Sequence, residues 1–182
     1  MQLHDFLPSS RSNGPGNRAV IWFQGCTLAC PGCFNPTTHS PSGGKNLTVE
    51  ELVRQMQSIT PEPDGITISG GEPLQQLPAL LYLLTELKTH LPLPIILFSG
   101  YTMEEIQRMP HIDPLFTNVD VLIAGRYLEK DRIAHGLRGS SNKTMHFFSN
   151  RLKPADFLDL PDAEIILTAQ GEVIQSGINP LS

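Results

Sequence analysis

Cysteine is scarce in this chain: three residues in 182, with one tryptophan and only 17% charged residues. The three cysteines fall within eight residues, Cys26 to Cys33, and their number is odd. That excludes the disulfide framework of a small secreted fold and points to metal. Basic residues are also in deficit, 13 Lys and Arg against 18 Asp and Glu, for a formal net charge of -5 and a pI near 5.6. Without a broad cationic face there is nothing to neutralise a phosphate backbone, so nucleic acid is excluded as the main partner. Long apolar runs are missing as well. The longest lies around Leu77 to Leu84, far too short to span a bilayer, and the opening Met1 to Leu7 has neither a basic n-region nor an apolar h-region. The expectation is a soluble, cytoplasmic protein without membrane partners. Hydrophobic residues at 40% remove the chain from the disordered class. Its length suits one domain over residues 1–182, with no internal repeat or dividing linker.

Beyond an irregular opening at 8–17, Ala19-Val20-Ile21-Trp22-Phe23 is β-branched and aromatic and reads as a buried strand that runs into the cysteine loop. Thr48-Val49-Glu50-Glu51 is a capping box. Val49, Leu52, Val53, Met56 and Ile59 then recur at helical spacing, and Leu47 is placed to staple onto Leu52. The pattern repeats with a strand at Ile66–Ile68, the loop Ser69-Gly70-Gly71-Glu72, and a helix from Pro78 to Leu87. A third strand, Ile95–Phe98, ends in Ser99-Gly100-Tyr101. A second capping box, Thr102 to Glu105, opens a short helix stopped by Pro110, and Val119–Ile123 forms a fourth strand. This rhythm predicts an α/β fold with a parallel sheet or barrel. Residues 128–143 mix charges and glycines without period, Met145–Phe148 suggests a strand, and Glu164–Thr168 with Glu172–Gln175 flank Ala169-Gln170-Gly171 as an antiparallel hairpin.

Cys26-Thr-Leu-Ala-Cys30-Pro-Gly-Cys33 confines three thiolates to one tight loop. An iron-sulfur cubane has four irons, so three cysteines leave one iron open for chemistry. Two other readings stay open at this point: a structural zinc completed by His39, and three thiols without metal. Topology adds an independent clue. Cys26, Gly70, Ser99 and Gly125 each follow the C-terminal end of an expected strand, the face where parallel α/β folds place their sites.

The spacing C-x3-C-x2-C resembles the signature of the radical S-adenosylmethionine (SAM) superfamily, and Ser69-Gly70-Gly71-Glu72-Pro73 resembles its glycine-glycine-glutamate motif. More narrowly, the chain resembles the activating enzymes of anaerobic (class III) ribonucleoside-triphosphate reductase. The resemblance is carried by Asn13-Gly14-Pro15-Gly16-Asn17-Arg18, Gly25-Cys26, Cys30-Pro31-Gly32-Cys33-Phe34-Asn35-Pro36, Ser99-Gly100-Tyr101 and Arg138-Gly139-Ser140-Ser141-Asn142. It departs at Ala124-Gly125-Arg126-Tyr127, where an acidic residue precedes the glycine in that pattern, and in the hairpin after residue 160. The resemblance implies a partial (βα) barrel with its core at about 13–146 and a C-terminal extension at about 147–182. It implies a [4Fe-4S] cluster on Cys26, Cys30 and Cys33, with SAM chelating the free iron. Gly32, Cys33, Phe34, Gly70, Gly71 and Glu72 would line the SAM site, Glu72's motif meeting the methionine amino group. A flavodoxin- or ferredoxin-like reductant would supply the electron. The 5'-deoxyadenosyl radical would then take a hydrogen atom from a glycine of the reductase large subunit. Other members of the superfamily act on other glycyl-radical proteins or on small molecules, as the deazapurine synthase does; a zinc-stabilised adaptor is the non-catalytic alternative.

Overall fold

The computed structural model describes residues 1–168 and 170–178. Its first strand, β1 (Gln2–Ser10), lies largely outside the sequence expectation, which made residues 8–17 irregular. Register shifts between Leu3 and Asp5 and between Leu7 and Ser10 break the two-residue alternation that would have revealed it. Next comes β2 (Arg18–Phe23), buried almost throughout, and after the cysteine loop the two-residue β3 (Lys45–Asn46). Helix α1 (Val49–Gln57) starts at the expected capping box, Glu51 N to Thr48 Oγ1 at 3.1 Å and Thr48 N to Glu51 Oε2 at 2.8 Å. Then follow β4 (Gly65–Gly70), α2 (Leu77–His90), β5 (Ile95–Ser99), the capped α3 (Met103–Gln107), α4 (Asp113–Asn118) and β6 (Val121–Ala124). The aperiodic stretch after Tyr127 forms a small antiparallel pair, β7 (Arg132–His135) and β8 (Arg138–Ser140), and β9 (Thr144–Phe147) returns to the main sheet. The expected hairpin is present as β10 (Ala163–Leu167) and β11 (Val173–Gly177), paired Ile165 to Gln175 and Leu167 to Val173; Ala169 of its turn lies outside the described residues.

The main sheet runs β3-β1-β2-β4-β5-β6-β9, so the fold is α/β with a mixed sheet: β2, β4, β5 and β6 are parallel, and antiparallel β1 and β9 flank them. Alternation splits the strands between two faces. Ala19, Ile21, Phe23, Ile66, Ile68, Ile95, Leu97 and Leu122 face a layer made by all four helices, where Leu52, Met56, Leu80, Leu83, Leu84, Leu87 and Leu115 are buried. The opposite face carries Ile96, Val121 and Ile123 beneath Leu137, Leu152 and Phe157 at one side. Elsewhere it is left open as a cavity beside Trp22, Ser69 and Phe98. Stacking the helices on one face therefore leaves the other for a site. Arg18, at the end of β2 away from the cysteine loop, is fully buried, and its guanidinium reaches Thr67 Oγ1 (3.1 Å), Pro94 O (3.0 Å) and Ile66 O. It ties β2 to β4 and to the residue that leads into β5, at the far end of the sheet. No helix among the described residues is long and apolar enough to cross a membrane.

Candidate active site

The four loops nominated from the sequence do converge. A cavity of about 600 Å³, within the size range of small-molecule sites, is bordered by Cys26, Cys30, Cys33, Phe34, Gly70, Gly71, Glu72, Ser99 and Gly100. Gly125 at the end of β6 touches it indirectly, its carbonyl accepting from the Lys143 ammonium at 2.5 Å. Gly32 is exposed beside this wall and turns the chain between Cys30 and Cys33 at φ +68°, with Cys33 N donating to Cys30 O at 3.2 Å.

The cysteine loop has no regular structure, so its shape is set by hydrogen bonds to the rest of the chain. Gly25 N donates to Thr38 O (2.7 Å), Cys26 N to His39 O (3.1 Å) and Thr27 N to Gln75 Oε1 (3.0 Å). Gln75 Nε2 returns to Thr27 Oγ1 at 2.8 Å, and Gln24 Nε2 donates to Ser40 O at 2.7 Å. These glutamines were not visible as site residues in the sequence, since amide side chains carry no motif of their own. All three cysteines are free and half-buried.

The two motif glycines are explained by backbone proximity. Gly71 N donates to Phe23 O (2.8 Å) and Glu72 N to Gly25 O (2.9 Å), which clamps this loop against the start of the cysteine loop. A Cβ on Gly70 would come to 2.3 Å of Phe23 N, and one on Gly71 to 2.3 Å of Gly25 O. Any side chain there would push the two loops apart.

Glu72 is fully buried and accepts from Leu74 N (2.9 Å), Ser99 Oγ (3.0 Å) and Gly100 N (2.6 Å). Its carboxylate thus joins the β4 loop to the β5 loop. Burial pushes its pKa up, against the opposing pull of those hydrogen bonds and of Lys143. Lys143, half-buried in the same wall, is pushed down by burial and held up by the negative charge of Glu72, Cys30 and Cys33. Burial also raises the Cys26 thiol; a backbone hydrogen bond from Leu28 opposes this, and Glu72, Cys30 and Cys33 add to it. Left to themselves, these acids repel one another. A cationic iron cluster would relieve that repulsion, because metal binding favours the thiolate form.

The donor set, three free thiols in one loop, fits an iron-sulfur cluster. Thiolates are the usual ligands of an iron-sulfur cubane, and three of them from one loop leave one of its four irons without a protein ligand.

The loop after β6 supplies residues that sequence reasoning missed. Arg126 forms a two-pronged pair with Glu105 (2.9 and 3.0 Å), donates to Gly100 O, and lies 4.9 Å over the Tyr101 ring. Tyr127 meets Phe34 edge-to-face at 5.4 Å, giving the exposed Phe34 an aromatic neighbour at the cavity. Within Arg138–Asn142, Gly139 and Ser140 are buried, and Asn142 Nδ2 caps Arg126 O at 2.9 Å. That segment braces the β6 loop and delivers Lys143, a role its polar composition concealed.

Comparison with known proteins agrees with this chemistry. The family described as 4Fe-4S single cluster domain matches residues 12–146. The anaerobic ribonucleoside-triphosphate reductase-activating protein of Vibrio cholerae is 32% identical over 157 residues, covering 82% of this chain and 99% of the relative. That of Escherichia coli K12 is 29% identical over 155 residues, covering 80% and 98%. The pyruvate formate-lyase-activating enzyme of Clostridium pasteurianum is 43% identical over 79 residues, 41% of this chain and 33% of that enzyme. Matched by the cluster-domain family over most of its length and by a reductase activator along nearly all of that relative, this chain belongs to the 4Fe-4S single cluster domain family and to the family of the anaerobic ribonucleoside-triphosphate reductase-activating proteins.

Proposed function

We propose that the chain is a radical SAM activase that generates a glycyl radical on the large subunit of anaerobic ribonucleotide reductase. The observation that carries the reading is three free cysteines, in one loop, facing the same cavity as two glycine-lined loops at the C-terminal ends of parallel strands. Cys26, Cys30 and Cys33 would hold the [4Fe-4S] cluster, and Gly32, Cys33, Phe34, Gly70, Gly71 and Glu72 would border SAM. When bound, the cluster supplies the electron that cleaves SAM, drawn from a flavodoxin- or ferredoxin-like donor. The chain's own residues do the rest. Glu72 fixes the spacing of two loops, Gly70 and Gly71 admit a close backbone approach, and Phe34 with Tyr127 forms an apolar flank. Holding reactants in line and excluding water is the protein's main contribution to such chemistry.

The sequential order β2-β4-β5-β6, with α1, α2, α3 and α4 on one face, supports a partial barrel of the radical SAM type. We read residues 1–182 as one domain with its core at about 13–146 and an extension beyond, working in the cytoplasm. The partial match to a pyruvate formate-lyase activator keeps a second reading open, a different glycyl-radical partner. Anaerobic reconstitution with iron and sulfide, reduction, and addition of SAM and the reductase tests the proposal. It requires 5'-deoxyadenosine together with a glycyl radical in the electron paramagnetic resonance (EPR) spectrum. Deoxyadenosine without that radical on the reductase would contradict the partner.

A further inference from the structure

The cavity has a second end. Toward the N-terminal end of β2 it is walled by Leu7 of β1, by Ser12 and Asn13, and by the run Ile174 to Ile178, which covers most of β11. That run lies outside the segment matched by the cluster family, residues 12–146. The register of the hairpin places Glu164, Ile166, Ile174 and Ser176 on one face and Ile165, Leu167, Val173 and Gln175 on the other. Ser176 is buried and Ile174 and Ile166 half-buried, while Ile165, Leu167 and Val173 are exposed. The first face is therefore the one laid against the body.

A lone two-stranded hairpin is marginal in water, so something must hold it there. Glu164 does. Its carboxylate accepts from Ser10 Oγ, Ser12 Oγ (3.0 Å), Arg11 N (3.1 Å) and Ser12 N (3.3 Å), at the end of β1 and in the turn that follows it. Asn13 Nδ2 adds a bond to Ser176 Oγ at 2.6 Å, and His135 Nδ1 pairs with Asp162 at 3.0 Å at the rim. A carboxylate satisfied by backbone and hydroxyl donors is a strong and directional fastener.

We propose that the β10–β11 hairpin is the wall of the substrate end of the cavity, with Glu164 the positioning residue that keeps it closed over the glycine-bearing peptide segment. The inference rests on the activase reading. A hydrogen atom passing from a glycine Cα–H to the 5'-deoxyadenosyl carbon leaves a glycyl radical and 5'-deoxyadenosine, and the transfer is productive only while the peptide is held in contact. A loosened wall leaves SAM cleavage intact but lets the peptide sit out of reach, so the two products part company.

The test compares the reconstituted full-length chain with Glu164→Ala, Glu164→Gln and Ser176→Ala. Three readouts are taken: amide hydrogen exchange over the hairpin, partner-free SAM cleavage, and 5'-deoxyadenosine per glycyl radical as reductase is titrated. Glu164→Ala should lose hairpin protection and keep partner-free cleavage within about twofold. It should raise the KM for reductase and the product ratio at least about fivefold, a step worth roughly 1 kcal/mol in positioning. Glu164→Gln, which retains one acceptor oxygen, should recover part of the loss, and Ser176→Ala should shift the same readouts less. A loosened hairpin with unchanged KM and unchanged ratio overturns the proposal, as does a hairpin whose protection survives Glu164→Ala. Failure of the wild type to form any glycyl radical on the reductase overturns the activase reading itself and the proposal with it.

Discussion

Substituting Glu72 by Gln separates a structural tie from a ligand contact. The carboxylate has no exposed surface and accepts three donors from two loops, so its work is done before any cofactor arrives. In Glu72→Gln the remaining oxygen can still accept from Leu74 N and Ser99 Oγ. The new amide nitrogen then sits where Oε2 met Gly100 N at 2.6 Å, placing donor against donor. One hydrogen bond to a charged group is lost, about 1.5–3 kcal/mol, and a buried N–H is left without an acceptor, about 1–3 kcal/mol. Because the two terms overlap, the net expectation is a destabilisation of about 2–4 kcal/mol, a large part of a typical domain's margin. Urea unfolding of the apo-protein measures it, as a lower midpoint at unchanged slope. A loss below about 0.5 kcal/mol, accompanied by weaker SAM binding after reconstitution, would refute the argument and make Glu72 a ligand group first.

Other consequences follow from the same geometry. Cys30→Ala is expected to abolish a stable cluster and all SAM cleavage, seen as lost visible absorbance and no deoxyadenosine; retained turnover would count against the cysteine assignment. Gly139→Ala places a methyl 2.8 Å from the Phe34 ring and 3.2 Å from Tyr127. Phe34 is exposed enough to yield, so SAM affinity should fall while the unfolding midpoint stays within about 1 kcal/mol of wild type. Leu84→Ala, in the fully buried helix layer, should cost about 2–5 kcal/mol by denaturant unfolding. Burial of Glu164 opposes its ionisation, yet the hydrogen bonds from Ser10, Arg11 and Ser12 prevail and hold its pKa below the ordinary 4.5. A depressed carboxyl adds stability that is complete above 4.5 and disappears as pH falls through the folded-state value. Hairpin amides should therefore lose exchange protection below about pH 4.5 in wild type, and Glu164→Gln should remove that dependence.

The parallel half of the fold was readable because each element announced itself locally. Thr48 and Thr102 head capping boxes, and Ile66–Ile68 and Ile95–Phe98 are unbroken β-branched or apolar runs. The cysteine spacing gave the site, and the strand-end rule gave its surroundings. What escaped depends on partners distant in sequence. The bulges of β1 hide its alternation, Arg138–Ser140 becomes a strand only by pairing with Arg132–His135, and α4 is too short to show a period. Gln75, Lys143 and Glu164 escaped for a related reason: each acts through contacts 18 to 154 residues away, on groups with no motif around them.

The central claim is an open iron in a cluster held by Cys26, Cys30 and Cys33. EPR of the reduced, anaerobically reconstituted chain, recorded before and after SAM is added, addresses it directly. The account predicts about four irons per chain and a [4Fe-4S] signal that changes when SAM binds the vacant site. A signal indifferent to saturating SAM, or a colourless protein holding zinc in place of iron, would contradict it.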